Sequence, residues 1–211
     1  MITIVDYGVG NTGALLNMFD YLGIDAEAAD APRAIARAKS LVLPGVGAFD
    51  KAMTTLRERG LVPALDEAVR VRRVPVLGVC LGMQLLARRS DEGREPGLGW
   101  IAADVRRIEL PAGSALKVPN IGWLHAQPTR ASALFGTLRA EPRYYFDHSF
   151  YLVCDDPRDV TATVDYGARL CCAVEHGHIA GVQFHPEKSH RHGMALLERF
   201  AALVASTGPR A

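Results

Sequence analysis

A thiol stands at Cys80 between Gly78 and Gly82, and an imidazole stands at His185 with a carboxylate two positions on at Glu187. These residue types suit thiol-based acyl transfer, which needs a nucleophile, a base and a group that orients the base. The Gly-x-Cys-x-Gly spacing matches a nucleophile elbow, where flanking glycines let a strand and a helix approach closely around a strained turn that pushes the side chain out. Such a turn sets the sulfur at a helix N-terminus, where backbone N–H groups and the helix dipole favour thiolate over thiol. The alternative for Cys80 is a small apolar filler, since free cysteine is among the most buried residue types.

Of the seven histidines, His185 has the most telling surroundings. It follows the apolar run Gly181-Val-Gln-Phe184, so it too belongs at a strand end; Pro186 fixes the local backbone, and Glu187 is near enough to return to the imidazole and hold its tautomer. A plain surface turn is one alternative. A metal site made with His190 and His192 is another, but Pro186 breaks the helical spacing of ligands and no cysteine joins the cluster, so no metal is expected. Acyl transfer also needs donors for an oxyanion. The run Val42-Leu-Pro44-Gly45-Val46-Gly47-Ala48-Phe49 ends a strand in a loop whose N–H groups can face a ligand, unless it is only a Pro-Gly turn. The N–H of Leu81, one residue past the thiol, is the second candidate donor.

These groups need elements to hold them. Val74 to Val79 reads as a strand buried on both faces, and Leu81, Met83, Leu85, Leu86 and Ala87 continue as a helix. Ile2–Val5, the region near Ala26 and Leu41–Leu43 are further strands. Thr12–Leu22 reads as a helix capped by Asn11 and ended by Gly23, and Leu61–Arg72 as a helix with Pro63 in its first turn. Alternating strand and helix is the signature of a parallel sheet with helices on both faces. After the turn-rich Ser90–Gly99, strand-like runs dominate at 101–108, 144–153, 160–164, 170–175 and 179–184, before a last helix from about His190 to Ala205. They suggest an antiparallel extension, giving a three-layer α/β fold.

The chain of 211 residues, 49% hydrophobic, is long enough for one full core, read as a single domain over 1–205 with a disordered tail at 206–211. With 24 basic against 23 acidic residues, it has no electrostatic reason to bind nucleic acid or an anionic membrane. No apolar run approaches a membrane span and the opening residues enter a strand at once, so the reading is a soluble, cytoplasmic protein. Cys80, Cys154, Cys171 and Cys172 have no zinc-like spacing and are expected as free thiols.

Four ordered blocks sharpen this reading: Pro44-Gly-Val-Gly47, Gly78-Val-Cys80-Leu-Gly-Met-Gln84, Lys117-Val-Pro-Asn-Ile-Gly-Trp123 and Gln183-Phe-His185-Pro-Glu187-Lys-Ser189. With the opening Asp6-Tyr-Gly-Val-Gly-Asn11, they make the chain resemble, over nearly its whole length, the glutaminase subunits of imidazole glycerol phosphate synthase, a class I glutamine amidotransferase family of histidine biosynthesis. The resemblance implies the class I amidotransferase fold, no cofactor, and L-glutamine as substrate. It implies that Cys80 attacks the glutamine amide, His185 protonates the departing ammonia and then activates water, and Glu187 orients His185. Gly45, Gln84, His148, Ser149 and Phe150 would bind glutamine, and Val46, Gly47 and Leu81 would surround the oxyanion. A (β/α)₈-barrel synthase subunit would dock as heterodimer partner over Asn11, Trp123 and Lys188 and receive the ammonia.

In the third block, Asn120, Ile121 and Leu124 stand where the family usually has histidine, methionine and asparagine. Ser90-Asp-Glu-Gly-Arg94, Gly97-Leu-Gly-Trp100, His148-Ser-Phe150 and Glu187-Lys-Ser-His190-Arg-His192-Gly193 also resemble a paralogous branch whose ammonia amidates a nucleotide-linked sugar in surface-polysaccharide synthesis. Two readings of other classes compete: a stand-alone cysteine hydrolase, and a catalytically silent binding module. Trp123 and Lys188, at the family's synthase-facing positions, argue against the first; intact Cys80, His185 and Glu187 argue against the second.

Overall fold

Short apolar runs separated by helical patterns build the first half. In the computed structural model, which describes residues 1–136 and 142–207, the order is β1 (Ile2–Val5), α1 (Thr12–Tyr21), β2 (Ala26–Ala29), α2 (Pro32–Ile35), β3 (Leu41–Gly45), α3 (Phe49–Glu58), α4 (Leu61–Asp66), β4 (Val76–Cys80) and α5 (Leu81–Leu85). Every residue of β1, β3 and β4 is buried, as parallel strands covered on both faces must be. Their side chains alternate between two cores. Ile2, Ile4, Val42, Leu77 and Val79 pack with Leu15 and Phe19 of α1, while Val5, Leu41, Leu43 and Val76 pack with Phe49, Met53 and Leu56 of α3 and Leu61 and Leu65 of α4.

The second half adds β5 (Ala103–Arg107), β6 (Asn120–His125), β7 (Gln127–Pro128), β8 (Arg143–His148), β9 (Phe150–Cys154), β10 (Val160–Asp165), β11 (Arg169–His176), β12 (Ile179–Val182) and α6 (His190–Thr207). One eight-stranded sheet runs β2-β1-β3-β4-β12-β11-β10-β7. It is parallel from β2 through β12 and antiparallel beyond. The expected α/β sheet with an antiparallel extension is therefore present. β12 lies beside β4 with Gly181 opposite Gly78 and Val182 opposite Val79. That register brings the carboxyl ends of the two strands abreast, so the chain leaving β12 passes the chain at Cys80.

Several local expectations need correction. The runs at 101–108 and 144–153 do not extend the central sheet: β5 pairs with β9 and β6 with β8 as separate two-stranded sheets. The second run is also cut at Ser149, where the chain changes sheet. β6 had no alternating pattern to announce it, and the structure supplies its partner from 143–148. Helix α4 ends at Asp66 and passes into a π-helical turn over Glu67–Val71, and α5 stops at Leu85. Asn11 precedes α1 but its side chain makes no capping bond; the expected stop does occur, with Gly23 at φ 66° donating its N–H to Asp20 O. Helix α6 runs to Thr207, so Ser206 and Thr207 are helical rather than a loose tail, and 208–211 lie outside the described residues.

Candidate active site

Cys80 ends β4 and precedes α5 with φ 55° and ψ −113°, a conformation a side-chain-bearing residue adopts only when its surroundings impose it. The flanking glycines supply that constraint. A Cβ on Gly82 would lie 1.8 Å from the Leu43 carbonyl oxygen, and one on Gly78 would lie 2.8 Å from the backbone of Gly82 and Met83. The helix can thus fold back against β3 and β4 only without side chains there. Cys80 is 6% exposed and its Sγ–H donates to the Asp147 carbonyl at 3.9 Å.

His185 leaves β12 and is pinned to β8: its N–H donates to Tyr145 O at 2.9 Å, and Ser189 Oγ bridges the His185 carbonyl and the Tyr145 N–H. A short 3₁₀ turn over Pro186–Lys188 brings Glu187 back, and its Oε1 accepts from His185 Nδ1 at 2.8 Å. Both side chains are buried, at 4% and 2% exposure. With Nδ1 committed to the carboxylate, Nε2 is left to serve the sulfur, which lines the same cavity. Burial opposes charge on His185, yet the hydrogen bonds and charges of Cys80 and Glu187 outweigh it and lift its pKa to about 10. A protonated ring is what a departing amine needs. The neighbouring histidines are engaged elsewhere: His190 stacks on Trp123 and His192 meets the edge of Tyr144. Among the described residues, no three His, Cys, Asp or Glu side chains gather as a metal would require.

Cys80 and His185 open onto a cavity of about 290 Å³. Val46, Gly47, Leu81, Gln84, His148, Ser149 and Phe150, all expected at the site, line it, and so does Lys188, expected on the partner-facing surface. Gly45 does not. It is a buried end of β3, where a Cβ would lie 2.8 Å from Gly82 N, so its part is to let the elbow approach. The end of β3 is held by the buried Tyr7, whose hydroxyl donates to Pro44 O at 2.8 Å; burial raises the Tyr7 pKa and keeps this donor protonated. Gly47, at φ 94°, sits where an L side chain would be strained. Leu81 N lies at the start of α5. On the far wall His148 is neutral, because burial lowers its pKa to about 4. Its Nδ1–H donates to Phe150 O at 2.8 Å, and its Nε2 accepts from Asn120 Nδ2 at 3.0 Å.

Sequence reading missed three lining residues, Glu92, Pro119 and Asp147. Glu92 belongs to the turn-rich stretch after α5, and its Oε2 accepts from Phe49 N at the start of α3 at 2.9 Å, which holds a carboxylate beside the cavity. The acidic stretch 90–95 was the available signal, but nothing in its spacing says where it folds. Of the expected partner-facing residues, Lys188 is exposed on the cavity rim with Nζ 5.3 Å from the Tyr145 ring. Trp123 is half-buried against His190, Tyr145 and Arg143. Asn11 is exposed at the head of α1, which lies beside the 186–188 turn.

A buried thiol at a strained strand–helix junction, sharing a cavity with a histidine that a buried glutamate orients, is equipped for acyl transfer through a thioester. The family profile described as glutamine amidotransferase class-I matches residues 3–203. Two solved structures share the fold: one titled glutamine amidotransferase (TM-score 0.75, 20% identity, covering 97% of this chain and 100% of that one) and PurLQS from Thermotoga maritima (0.71, 16%, 96% and 98%). Over 97% of this chain and all of its own, the imidazole glycerol phosphate synthase subunit HisH 2 of Pseudomonas aeruginosa is 47% identical. The subunit HisH of Bdellovibrio bacteriovorus is 45% identical over 96% and 100%. The chain belongs to the class-I glutamine amidotransferases and, within them, to the family of imidazole glycerol phosphate synthase HisH subunits.

Proposed function

We propose that this protein is the glutaminase subunit of an imidazole glycerol phosphate synthase, hydrolysing L-glutamine and handing the ammonia to a (β/α)₈-barrel synthase subunit in the cytoplasm. The observation that carries the reading is the buried Cys80–His185–Glu187 arrangement in a chain whose full-length relatives bear the HisH name. One amidotransferase domain, residues 1–205, holds the whole site.

Cys80 gives its thiol proton to His185 and its Sγ attacks the side-chain amide carbon of glutamine, while N–H groups of Val46, Gly47 and Leu81 receive the negative charge on the carbonyl oxygen. His185 gives its proton to the nitrogen as the C–N bond breaks, so ammonia leaves and a thioester remains. Water then loses a proton to His185 and attacks that thioester; the C–S bond breaks and glutamate departs. Glu187 keeps Nδ1–H bound throughout, which fixes the tautomer and supports the imidazolium. Gln84, His148, Ser149 and Phe150 shape the glutamine wall, and the Glu92 carboxylate suits an amino-acid ammonium group. Asn11, Trp123 and Lys188 form the docking face, an aromatic and a cation being fitting anchors for an interface.

The test is glutamine turnover by the chain alone, with its barrel subunit, and with that subunit plus a ribulosyl acceptor analogue. Turnover rising at each addition is expected, because a partner can bias the site only by differential affinity for its states. Equal turnover in all three would favour a stand-alone cysteine hydrolase.

A further inference from the structure

A polar layer beyond the triad runs from the cavity wall, at Gln84 and His148, to Gln183 and Asn120 behind it. Gln183, fully buried just past β12, donates from Nε2 to Cys80 Sγ at 3.8 Å and accepts at Oε1 from Gln84 Nε2 at 3.0 Å. Gln84 Nε2 also donates to Phe150 O at 3.3 Å, the same carbonyl that takes the His148 Nδ1–H, and His148 Nε2 accepts from Asn120. Asn120, His148, Gln84 and Gln183 are all buried, at 1%, 5%, 4% and 0% exposure. The direction of the series is forced by its middle. A backbone carbonyl only accepts, so Gln84 must present its NH₂ group to Phe150 O. Gln183 must then turn its oxygen to Gln84, which leaves its N–H groups for the sulfur. On the other side His148, being neutral, has one N–H; that proton goes to the carbonyl, so Nε2 needs a donor and Asn120 supplies it.

We propose that Gln183 is a positioning residue for the nucleophile, holding Cys80 Sγ through an amide N–H whose direction is set by Gln84 and the Phe150 carbonyl. The inference rests on the reading of Cys80 as the attacking group. An N–H donor bonds an anionic sulfur more strongly than a neutral one, so Gln183 favours the reactive form and holds its rotamer at once. It does so without touching glutamine, since it lies outside the cavity lining. The signature of this role is therefore in kcat and in the titration of the sulfur rather than in KM. The series also explains how asparagine is accommodated at 120: it supplies the donor His148 requires. It further links the sulfur to β6, the strand that carries Trp123.

The experiment uses the full chain with Gln183→Met, and with Gln183→Glu, which keeps an acceptor for Gln84, in case the first does not fold. Two readouts are taken: steady-state glutamine hydrolysis, and the pH profile of iodoacetamide labelling of the Cys80 peptide followed by mass spectrometry. Losing one hydrogen bond to a charged group should lower kcat by about tenfold or more, leave KM within about twofold, and move half-maximal labelling up by about one pH unit. An unchanged labelling profile with unchanged kcat in a folded variant overturns the proposal, as does a loss confined to KM. Labelling reads the sulfur without glutamine, so a wild-type chain inert toward glutamine would defeat the glutaminase reading separately.

Discussion

Glu187 Oε1 meets His185 Nδ1 at 2.8 Å inside the protein, while its second carboxylate oxygen, Oε2, is buried with no hydrogen-bond partner among the described residues. A carboxylate kept half-satisfied costs stability, because buried charge is tolerated only when paired and hydrogen-bonded. Glu187→Gln should therefore leave stability nearly unchanged while lowering glutamine hydrolysis by roughly 10²–10⁴-fold, since an amide does not support the imidazolium. Circular dichroism and kcat decide it together; loss of fold would make the residue structural.

Cys80→Ser should abolish glutamine hydrolysis, because a hydroxyl is a far weaker nucleophile than a thiolate beside histidine. In the complex with the barrel subunit, synthesis from added ammonia should persist. A serine variant that kept most of its glutaminase rate would remove Cys80 from the mechanism.

The neutral His148 gives a stability signal with a definite sign. Burial lowers its pKa from 6.5 to about 4, so between those values the unfolded chain takes up a proton that the folded chain refuses. Its contribution is full above pH 6.5 and is lost as pH falls toward 4, on the order of 3 kcal/mol across the window. Urea unfolding at pH 7 and pH 4.5 should show a smaller drop in His148→Gln than in the wild type. Equal drops would place the acid sensitivity elsewhere.

Glycines in this chain do opposite things according to what surrounds them. A Cβ at Gly82 would meet Leu43 O at 1.8 Å, so Gly82→Ala should destabilise by roughly 3 kcal/mol and disable the elbow. Gly13, in the first turn of α1, has nothing within 4 Å of a Cβ, so Gly13→Ala should stabilise by ~0.5–1 kcal/mol. Thermal melts of the two variants should move in opposite directions.

Trp123 stacks on His190 with ring centroids 5.3 Å apart and 3° between planes, and meets the Tyr145 edge at 6.0 Å, so its exposed face is held in one orientation. Trp123→Ala should weaken docking of the barrel subunit by about 2 kcal/mol, near thirtyfold, and reduce the turnover that docking elicits. Titration calorimetry with the barrel subunit measures the first effect directly.

Short-range chain chemistry dictates the local half of this protein. Glycines two residues either side of Cys80 can be read as an elbow because close strand–helix packing excludes a Cβ, and Glu187 can be paired with His185 because two residues of chain suffice to bring them together. Alternating strand and helix up to α5 likewise follows from short-range periodicity. What joins Cys80 to His185 is the parallel pairing of β4 with β12, which no periodicity encodes; the four blocks reached it only through family resemblance. Tertiary structure alone decided that β6 pairs with β8 and β5 with β9, that Gly45 stands behind the cavity instead of lining it, and that Glu92 and Asp147 face it. It also decided the contact of Gln183 with Cys80, 103 residues apart. A buried amide must be hydrogen-bonded, but its type and position do not say to what; that choice is made only when distant strands close around it and leave each donor one acceptor.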